Sequence, residues 1–280
     1  MASLRETKDR MNSVRGTLKI TSAMKLVASS KLRKAQAAVE ALRPYEQVLT
    51  DILASVCRAP SPPPAPDGRV SEAPVALVCF SSNNALCGGF NAGVIREARA
   101  FLARQQGPVE VHACGRKIAE ALRRTGVRLR QEDPALAAHP HFRGAAELAR
   151  ELAERVRKGE LSQVYLLYNH FVTTARQEIR LERYLPLAGV PEQASGTEAY
   201  LVEPSVADVA KRLLPQVENL KLYAALLDSS AAEQAARTLA MQAASDNARK
   251  MLSELTLAYN KGRQQKITAE ILDLLGGSTE

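Results

Sequence analysis

Two adjacent glycines, Gly88 and Gly89, follow a short apolar run at residues 74–80 and precede a helical pattern. Nucleotide-binding folds place their phosphate loops at such a position. The segment lacks the three-glycine spacing of dinucleotide-binding turns and the lysine of a Walker motif. A tight turn required for packing therefore explains these glycines better than a phosphate site, and an enzymatic function would depend on this turn alone.

The histidines and cysteines do not provide stronger evidence of a catalytic or metal-binding site than the glycine turn does. His139 and His141 could ligate a metal, but no third or fourth ligand lies nearby in the sequence, which favours two solvated loop histidines. His112 precedes Cys114 by two residues, and no acidic partner is specified for either. No CxxC or zinc-type spacing connects the four cysteines, which favours reduced thiols in a cytoplasmic setting: Cys57, Cys79, Cys87 and Cys114. The sequence predicts no catalytic residue, no metal and no cofactor.

The carboxy-terminal part of the chain has the pattern of one very long helix. Residues 216–275 contain no proline, a single glycine and many strong helix formers. At 1.5 Å per residue, sixty helical residues span roughly 90 Å, too long for burial within one compact domain. Small or apolar residues recur at steps of three and four, as on the contact stripe of a coiled coil: Val217, Leu220, Ala224, Leu227, Ala231, Met241, Ala244, Ala248, Met251, Leu255, Ala258 and Gly262.

The amino-terminal residues 4–56 supply a partner for that stripe. Their only helix breakers are Gly16 and Pro44, although the polar Thr21, Ser22 and Ser30 interrupt the apolar pattern. The same seven-residue repeat is followed by Ala28, Leu32, Ala35, Val39, Leu42, Leu49, Leu53 and Val56. The two termini are therefore predicted to form a long antiparallel two-helix coiled coil.

The middle of the chain has a different character. A proline-rich run at 59–68 ends the first helix, and strand and helix patterns then alternate: strand 74–80, helix 94–102, strand 109–113, helix 116–124, strand 127–130, helix 145–157, and strands 163–168 and 177–185. This alternation predicts an inserted three-layer, Rossmann-like α/β domain with a largely parallel sheet and an edge hairpin.

The predicted domain boundaries follow from these patterns. They are an amino-terminal helix at 1–57, a proline-rich linker at 58–73, an α/β domain at 74–190, a second linker at 191–204 and a long helix at 205–280. Ser205 is a suitable cap for the long helix. Pro215 is expected either to kink that helix or to divide a short lead-in helix from it.

Charge, aromatic content and hydropathy indicate which kinds of partner the chain can bind. The formal net charge of +8 favours acidic surroundings, but the chain has no tryptophan and only 4% aromatic residues, so base stacking is poorly supported and acidic protein surfaces are favoured over nucleic acid. No apolar run approaches the roughly 18 residues that a membrane span requires. The polar, acid-containing start resembles neither a signal peptide nor a transit peptide.

Two polar clusters interrupt the terminal helices. One covers residues 20–36, and the other combines 246–248 with 259–271. Gln264 and Thr268 are four residues apart and share a helix face, from which they could offer hydrogen bonds. Exposed coiled-coil surface and partner contact remain equally open explanations of these clusters.

At these residues the sequence resembles the family of gamma subunits of the F-type ATP synthase. The motifs that carry the resemblance occur in that family's order and cover the chain from end to end: ITSAMKLVASSKLRKAQ at 20–36, LCGGFN at 86–91, YLVEPS at 200–205, RTLAMQAASDNA at 237–248 and LAYNKGRQQKITAEI at 257–271. The resemblance implies a non-catalytic central rotor that transmits torque between the membrane c-ring and the catalytic beta subunits during proton-driven ATP synthesis. The implied partners are the alpha and beta subunits, the epsilon subunit and the c-ring.

The same resemblance implies roles for particular side chains. Met24, Lys25 and Lys31 match the segment that faces the acidic lever region of the beta subunits. Polar catch contacts with the head are implied for Arg263, Gln264 and Thr268. Residues 82–85 read Ser-Asn-Asn-Ala where the family commonly has an Asp-Arg-Gly run, and the cysteine-bearing insertion of chloroplast members is absent near 189–197.

A bacterial enzyme is the implied setting, with the chain on the cytoplasmic side of the inner membrane. The alternative that the residues leave open is a coiled-coil adaptor that binds an acidic partner or nucleic acid without rotating.

Overall fold

The computed structural model describes residues 4–56, 73–187 and 205–276. The chain divides into two compact units. The terminal unit comprises Met1–Ser29 and Arg237–Glu280, and the sheet unit comprises Ser30–Ala236. The helices α1, Leu4–Val56, and α6, Val206–Gly276, each contribute to both units. The two predicted linkers lie outside the described residues, except for Ala73.

The sheet unit is built on five strands in the order β3-β2-β1-β4-β5. Four of the strands are parallel, and β5 pairs antiparallel with β4 as an edge hairpin. Their bounds are β1 Val75–Phe80, β2 Val109–Cys114, β3 Leu129–Glu132, β4 Gln163–Phe171 and β5 Gln177–Leu185. The buried β1 and residues 164–168 of β4 have the continuous apolar sequences that a parallel sheet covered on both faces requires. The predicted parallel sheet and its edge hairpin are therefore confirmed.

Helices cover both faces of the sheet. They are α2 Phe90–Arg104, α3 Arg116–Arg123, α4 Pro134–Ala138 and α5 Phe142–Arg157. One core cluster joins the sheet to α2 and α3, and the other joins the opposite face to α5 and to Leu222, Ala225 and Leu226 of α6. The long terminal helix is thus part of the third layer of the α/β fold, and the predicted fold class is confirmed.

The short helix α4 was not predicted from the sequence. Its start has a clear chemical cause, because Asp133 Oδ1 accepts a hydrogen bond of 2.8 Å from the backbone N–H of Leu136. Pro134 supplies the first helical residue, where a missing N–H costs nothing. The Asp-Pro pair is the signal that could have located this helix.

At the start of α6 the predicted cap is confirmed, and of the two effects expected of Pro215, a kink or a division of the helix, the division does not occur. Ser205 Oγ accepts a hydrogen bond of 3.1 Å from the Asp208 N–H and donates one of 2.7 Å to the Asp208 carboxylate. The helix then runs unbroken through Pro215. The carbonyl that loses its donor there belongs to the exposed Lys211, where water can satisfy it.

Within each unit, α1 and α6 pair in opposite directions. In the sheet unit, Leu49 and Leu53 pack with Val217 and Leu220, whereas the earlier Leu32 packs with the later residues Ala231 and Ala235. In the terminal unit, Thr21 contacts Ser245, and the earlier Leu4 approaches Gly262. The antiparallel helix pair predicted from the repeats is therefore present in both units.

The predicted contact stripe is wrong at two positions of the terminal unit. Met241 and Ala248 are buried as expected, but Met251 is 48% exposed and Ala258 is exposed, while the unpredicted Ser245 is buried. A straight helix drifts about 20° per heptad against an ideal seven-residue repeat. A stripe extended by strict spacing along the whole helix therefore leaves the contact face.

His112 is a buried polar residue of the sheet. Its side chain is buried on β2, and neither ring nitrogen has a hydrogen-bond partner within the described part of the chain. Burial lowers the pKa of His112, an effect that the Glu151 carboxylate partly offsets. The folded state therefore binds this proton less readily than the unfolded state, and stability is lost as the pH falls below the usual histidine pKa of about 6.5.

We expect His112→Leu to remove this acid sensitivity. Leucine brings no unsatisfied nitrogens, so the free energy of unfolding at neutral pH should rise by about 1–3 kcal/mol, and its decrease between pH 7 and the acid side should become shallower. Urea unfolding of both proteins at several pH values measures the slope. His139→Leu, at an exposed loop histidine, is the control. An unchanged slope in His112→Leu would contradict the assignment.

Candidate partner-contact surface

The glycine turn after β1 packs against the chain's own helix. Gly88 has φ of +58°, a conformation that favours glycine, and α2 begins two residues later at Phe90. Cys87 and Phe90 are buried against Ala232 and Ala236 of α6. Open α/β folds bind nucleotides where the strand order reverses, beyond the carboxyl end of strands such as β1. Here α6 covers the turn, which agrees with a packing function.

Hydrogen bonds inside the turn support the same conclusion. The Ser82 N–H donates to Asn91 Oδ1 over 3.0 Å, and Asn91 Nδ2 donates to Ser82 Oγ over 2.7 Å. These bonds fix the end of β1 to the first turn of α2. The Asn91 amide, which a nucleotide site could have used, is engaged in holding the turn together.

The surroundings of the histidines and of the cysteine thiols are those of structural side chains rather than of catalytic or metal-binding ones. His139 and His141 are exposed, and His141 Nδ1 lies 2.8 Å from the His139 carbonyl oxygen, to which it donates. Among the described residues, no three metal-ligating side chains are grouped as a metal ion would require. The described cysteines are buried and free, and burial raises the pKa of Cys114 to about 12. A thiol so difficult to ionise is a poor nucleophile. Cys57 lies outside the described residues.

The first proposed contact segment lies on α1. Met24 and Lys25 are half-buried in the terminal unit, and Lys31 is exposed on the same helix within the sheet unit. The structure adds apolar neighbours that the sequence reasoning did not single out: Ile20 is 62% exposed, Leu26 70% and Val27 57%. Three large apolar side chains presented so close together on a basic helix indicate a surface that a partner covers.

The second segment lies on α6 of the terminal unit, where Arg263, Gln264 and Thr268 are all exposed. The Thr268 hydroxyl donates a hydrogen bond of 2.9 Å to the Gln264 carbonyl. Thr268 can therefore accept a hydrogen bond from a partner, but its proton is already used, which corrects the expectation that its hydroxyl is available outward. Exposed apolar residues accompany this segment too, and Leu257 is 69% exposed.

The structure does not bring the two segments together. Thr21, near the first segment, lies opposite Ser245, whereas Gly262, in the second, lies opposite Leu4. At 1.5 Å per residue, Ser245 and Gly262 are separated by about 25 Å along α6. The terminal unit therefore presents two contact patches at different heights rather than one site.

A buried polar pair lies beside the first patch. Ser245 Oγ donates a hydrogen bond of 2.9 Å to Thr21 Oγ1, which donates in turn to the Leu18 carbonyl over 3.2 Å. Ser22 Oγ lies 3.5 Å from Ser245 Oγ. Two of the hydroxyls that interrupt the apolar pattern of α1, those of Thr21 and Ser22, thus face Ser245 across the two helices.

Comparison with known proteins identifies the class. A family model described as ATP synthase matches residues 3–279. Together with the antiparallel helix pair and the inserted α/β sheet, this match defines a subunit of the ATP synthase. The ATP synthase gamma chain of Phocaeicola vulgatus is 45% identical and that of Bacteroides thetaiotaomicron 43%, with 99% and 100% of both chains covered, respectively. The chain belongs to the family of F-type ATP synthase gamma chains, the non-catalytic rotor subunits of the central stalk.

Solved structures show the same fold. A chain from the mitochondrial ATP synthase of Euglena gracilis, described as OSCP/F1/c-ring in rotational state 3, aligns with a TM-score of 0.68 at 16% identity. The alignment covers 99% of this chain and 93% of that chain. Within the described residues, none of the helices has an apolar stretch long enough to cross a membrane. The match to the family model and the identity to the gamma chains confirm the family resemblance inferred from the motifs.

Proposed function

We propose that this chain is the shaft that carries torque between the c-ring and the catalytic beta subunits of a bacterial, proton-driven ATP synthase. One observation carries the proposal for the terminal unit: a helix pair of that unit exposes large apolar side chains on both of its helices, as expected of a surface enclosed by other subunits. The partners in this proposal are the alpha and beta subunits, the epsilon subunit and the c-ring.

We further propose that the chain lies on the cytoplasmic side of the bacterial inner membrane, as a peripheral part of F1. The relatives from Phocaeicola and Bacteroides support a bacterial setting. The division into a helix at 1–57, an α/β domain at 74–190 and a long helix at 205–280 remains part of the proposal.

Co-assembly with the head tests the function. The full chain, mixed with its own organism's alpha and beta subunits, should give a complex with three alpha, three beta and one copy of this chain. Native mass spectrometry measures the ratio. A chain that stays separate, or that binds at a different ratio, would remove the rotor function and leave the adaptor alternative.

The contact segments on α1 and α6 have distinct proposed contacts. On α1, Met24 and Lys25 face the acidic lever region of a beta subunit, and Lys31 does so further along the helix. Long-range attraction between opposite charges aligns such surfaces without a deep energy well. On α6, Arg263, Gln264 and Thr268 make transient polar contacts with the head. Coupling requires that these contacts differ between rotational states, because equal contacts shift no equilibrium.

We expect Arg263→Ala combined with Gln264→Ala to slow coupled ATP synthesis by about thirtyfold while leaving assembly intact. Each lost hydrogen bond contributes about 1 kcal/mol, and both side chains are exposed, so the fold does not depend on them. ATP synthesis in inverted vesicles is the measurement. Lys250→Ala with Glu254→Ala, exposed on the same helix outside both polar clusters, is the control. If the first pair behaves like the control, the catch assignment is wrong.

A further inference from the structure

A cleft of about 320 Å³ opens in the sheet unit between α1, the hairpin of β4 and β5, and α6. Val39 and Leu42 of α1 and Ala225 of α6 line its apolar part. Its volume lies at the lower end of the range of small-molecule sites, which combine apolar walls with a few placed polar groups. Neither the glycine turn nor the contact patches include any of its residues.

The acidic side chains of the cleft are already occupied. Asp228 accepts hydrogen bonds from His170 Nδ1 and, over 2.9 Å, from the Phe171 N–H. Glu182 Oε1 accepts from the Tyr168 hydroxyl over 3.2 Å. Burial raises the pKa of Glu46, and the nearby Lys221 ammonium only partly offsets this effect. The negative charge of the cleft is therefore engaged in internal hydrogen bonds or disfavoured by burial.

In the described part of the chain the cationic side chains of the cleft make no direct ion pair, although Lys221 and Arg43 lie close enough to Glu46 for their charges to lower its pKa. Arg43 of α1, Arg183 of β5 and Lys221 of α6 all line the cleft. Within the residues that the structure describes, none of the three lies within 4.0 Å of a carboxylate oxygen. Lys221 is half-buried, and the two arginines are exposed. Three cations from three separate elements therefore converge on one concave surface without a direct ion pair.

We propose that this cleft binds a phosphate group, either as inorganic phosphate or as part of a small phosphorylated metabolite. A tetrahedral phosphate offers oxygens in several directions, so it can accept from donors on three different elements, whereas a planar carboxylate is suited to one fork of donors. The volume and apolar wall leave room for an organic group attached to the phosphate. A bound phosphate would connect α1, β5 and α6 through one ligand.

Binding should be measured on the full chain at constant ionic strength, with chloride as the reference anion. Phosphorus NMR line broadening reports inorganic phosphate and glycerol phosphate separately, and thermal unfolding reports stabilisation by a ligand that prefers the folded state. We expect saturable binding of at least one of the two, with a rise in the unfolding temperature that follows occupancy. Tighter binding of inorganic phosphate would identify the free anion as the ligand. Tighter binding of glycerol phosphate would identify a phosphorylated metabolite as the ligand.

Paired variants locate the site. Arg43→Gln with Lys221→Gln should weaken binding by at least about tenfold. Arg33→Gln with Lys211→Gln removes the same charges from exposed positions of the same two helices and should leave binding nearly unchanged. Lys221→Arg, which keeps the charge, should retain most of the affinity, and circular dichroism verifies that each variant is folded.

Three results would overturn the proposal. The first is no saturable binding of either compound beyond the effect of chloride. The second is equal weakening by the two double variants, which would indicate a general effect of net charge. The third is a folded Arg43→Gln, Lys221→Gln protein that binds as tightly as the unmodified chain.

Discussion

Leu222→Ala is expected to lower the free energy of unfolding of the sheet unit by about 3–5 kcal/mol, because the substitution removes a buried side chain and leaves a cavity. Leu222 is fully buried on α6 and belongs to the core cluster that also contains Phe80 and Leu166 of the sheet. The truncation therefore weakens the packing that holds α6 against the sheet. In a rotor, that packing is part of the path that torque must follow.

The matched control for this prediction is Leu257→Ala on the same helix. Leu257 is exposed, so its truncation should change the free energy of unfolding by no more than about 0.5 kcal/mol. Since the chain has no tryptophan, urea unfolding is followed by circular dichroism, and hydrogen exchange of β1 and β4 isolates the sheet unit. Equal effects of the two substitutions would show that α6 does not depend on Leu222 for its attachment to the sheet.

Gly115→Ala is expected to cost more than about 3 kcal/mol and to prevent accumulation of folded protein. Gly115 has φ of +115°, which side chains rarely adopt, and an added Cβ would overlap the Ser81 carbonyl oxygen and lie 2.7 Å from its carbon. The neighbouring backbone cannot yield easily. The Ser81 N–H donates to the Cys114 carbonyl over 2.8 Å, and the Ile118 N–H donates to Ser81 Oγ over 3.1 Å.

Gly107→Ala separates steric overlap from the general effect of replacing glycine. An added Cβ at Gly107 would meet no atom within 4 Å, so this variant should stay within about 0.5 kcal/mol of the unmodified chain. Soluble yield and urea midpoints of the two variants give the comparison. A folded Gly115→Ala protein with the stability of Gly107→Ala would show that the ends of β1 and β2 can move apart at little cost.

Much of the fold could be predicted because its signals are local and strong. The apolar run of β1 and the absence of prolines after Pro215 each specify one kind of element. The sequence did not indicate that α6 would cover the glycine turn after β1, since that contact joins residues more than a hundred positions apart. Nor did it identify Gly115, whose role depends on how closely the Ser81 backbone passes.

The contact surface was predictable only in part. Polar residues at 263–268 depart from the Glu and Lys pairs of a simple coiled coil, and the motif resemblance pointed to them. The exposed apolar residues Leu26 and Val27 were missed, because a heptad count assigns each apolar residue to the stripe or ignores it. Which apolar side chains the paired helix leaves uncovered depends on helix drift, which only the structure resolves.

The hydrogen bond between Ser245 and Thr21 has a mechanical consequence. Contacts between alanine and methionine side chains change little in energy when one helix slides along the other. Two buried hydroxyl groups, in contrast, can form their hydrogen bond at only one offset of the helices. Sliding by one helical step would separate Ser245 from Thr21 and leave the buried Ser245 hydroxyl without this acceptor, at a cost of about 1–3 kcal/mol. Under applied torque, the paired helices of the terminal unit should therefore twist elastically rather than slide along one another.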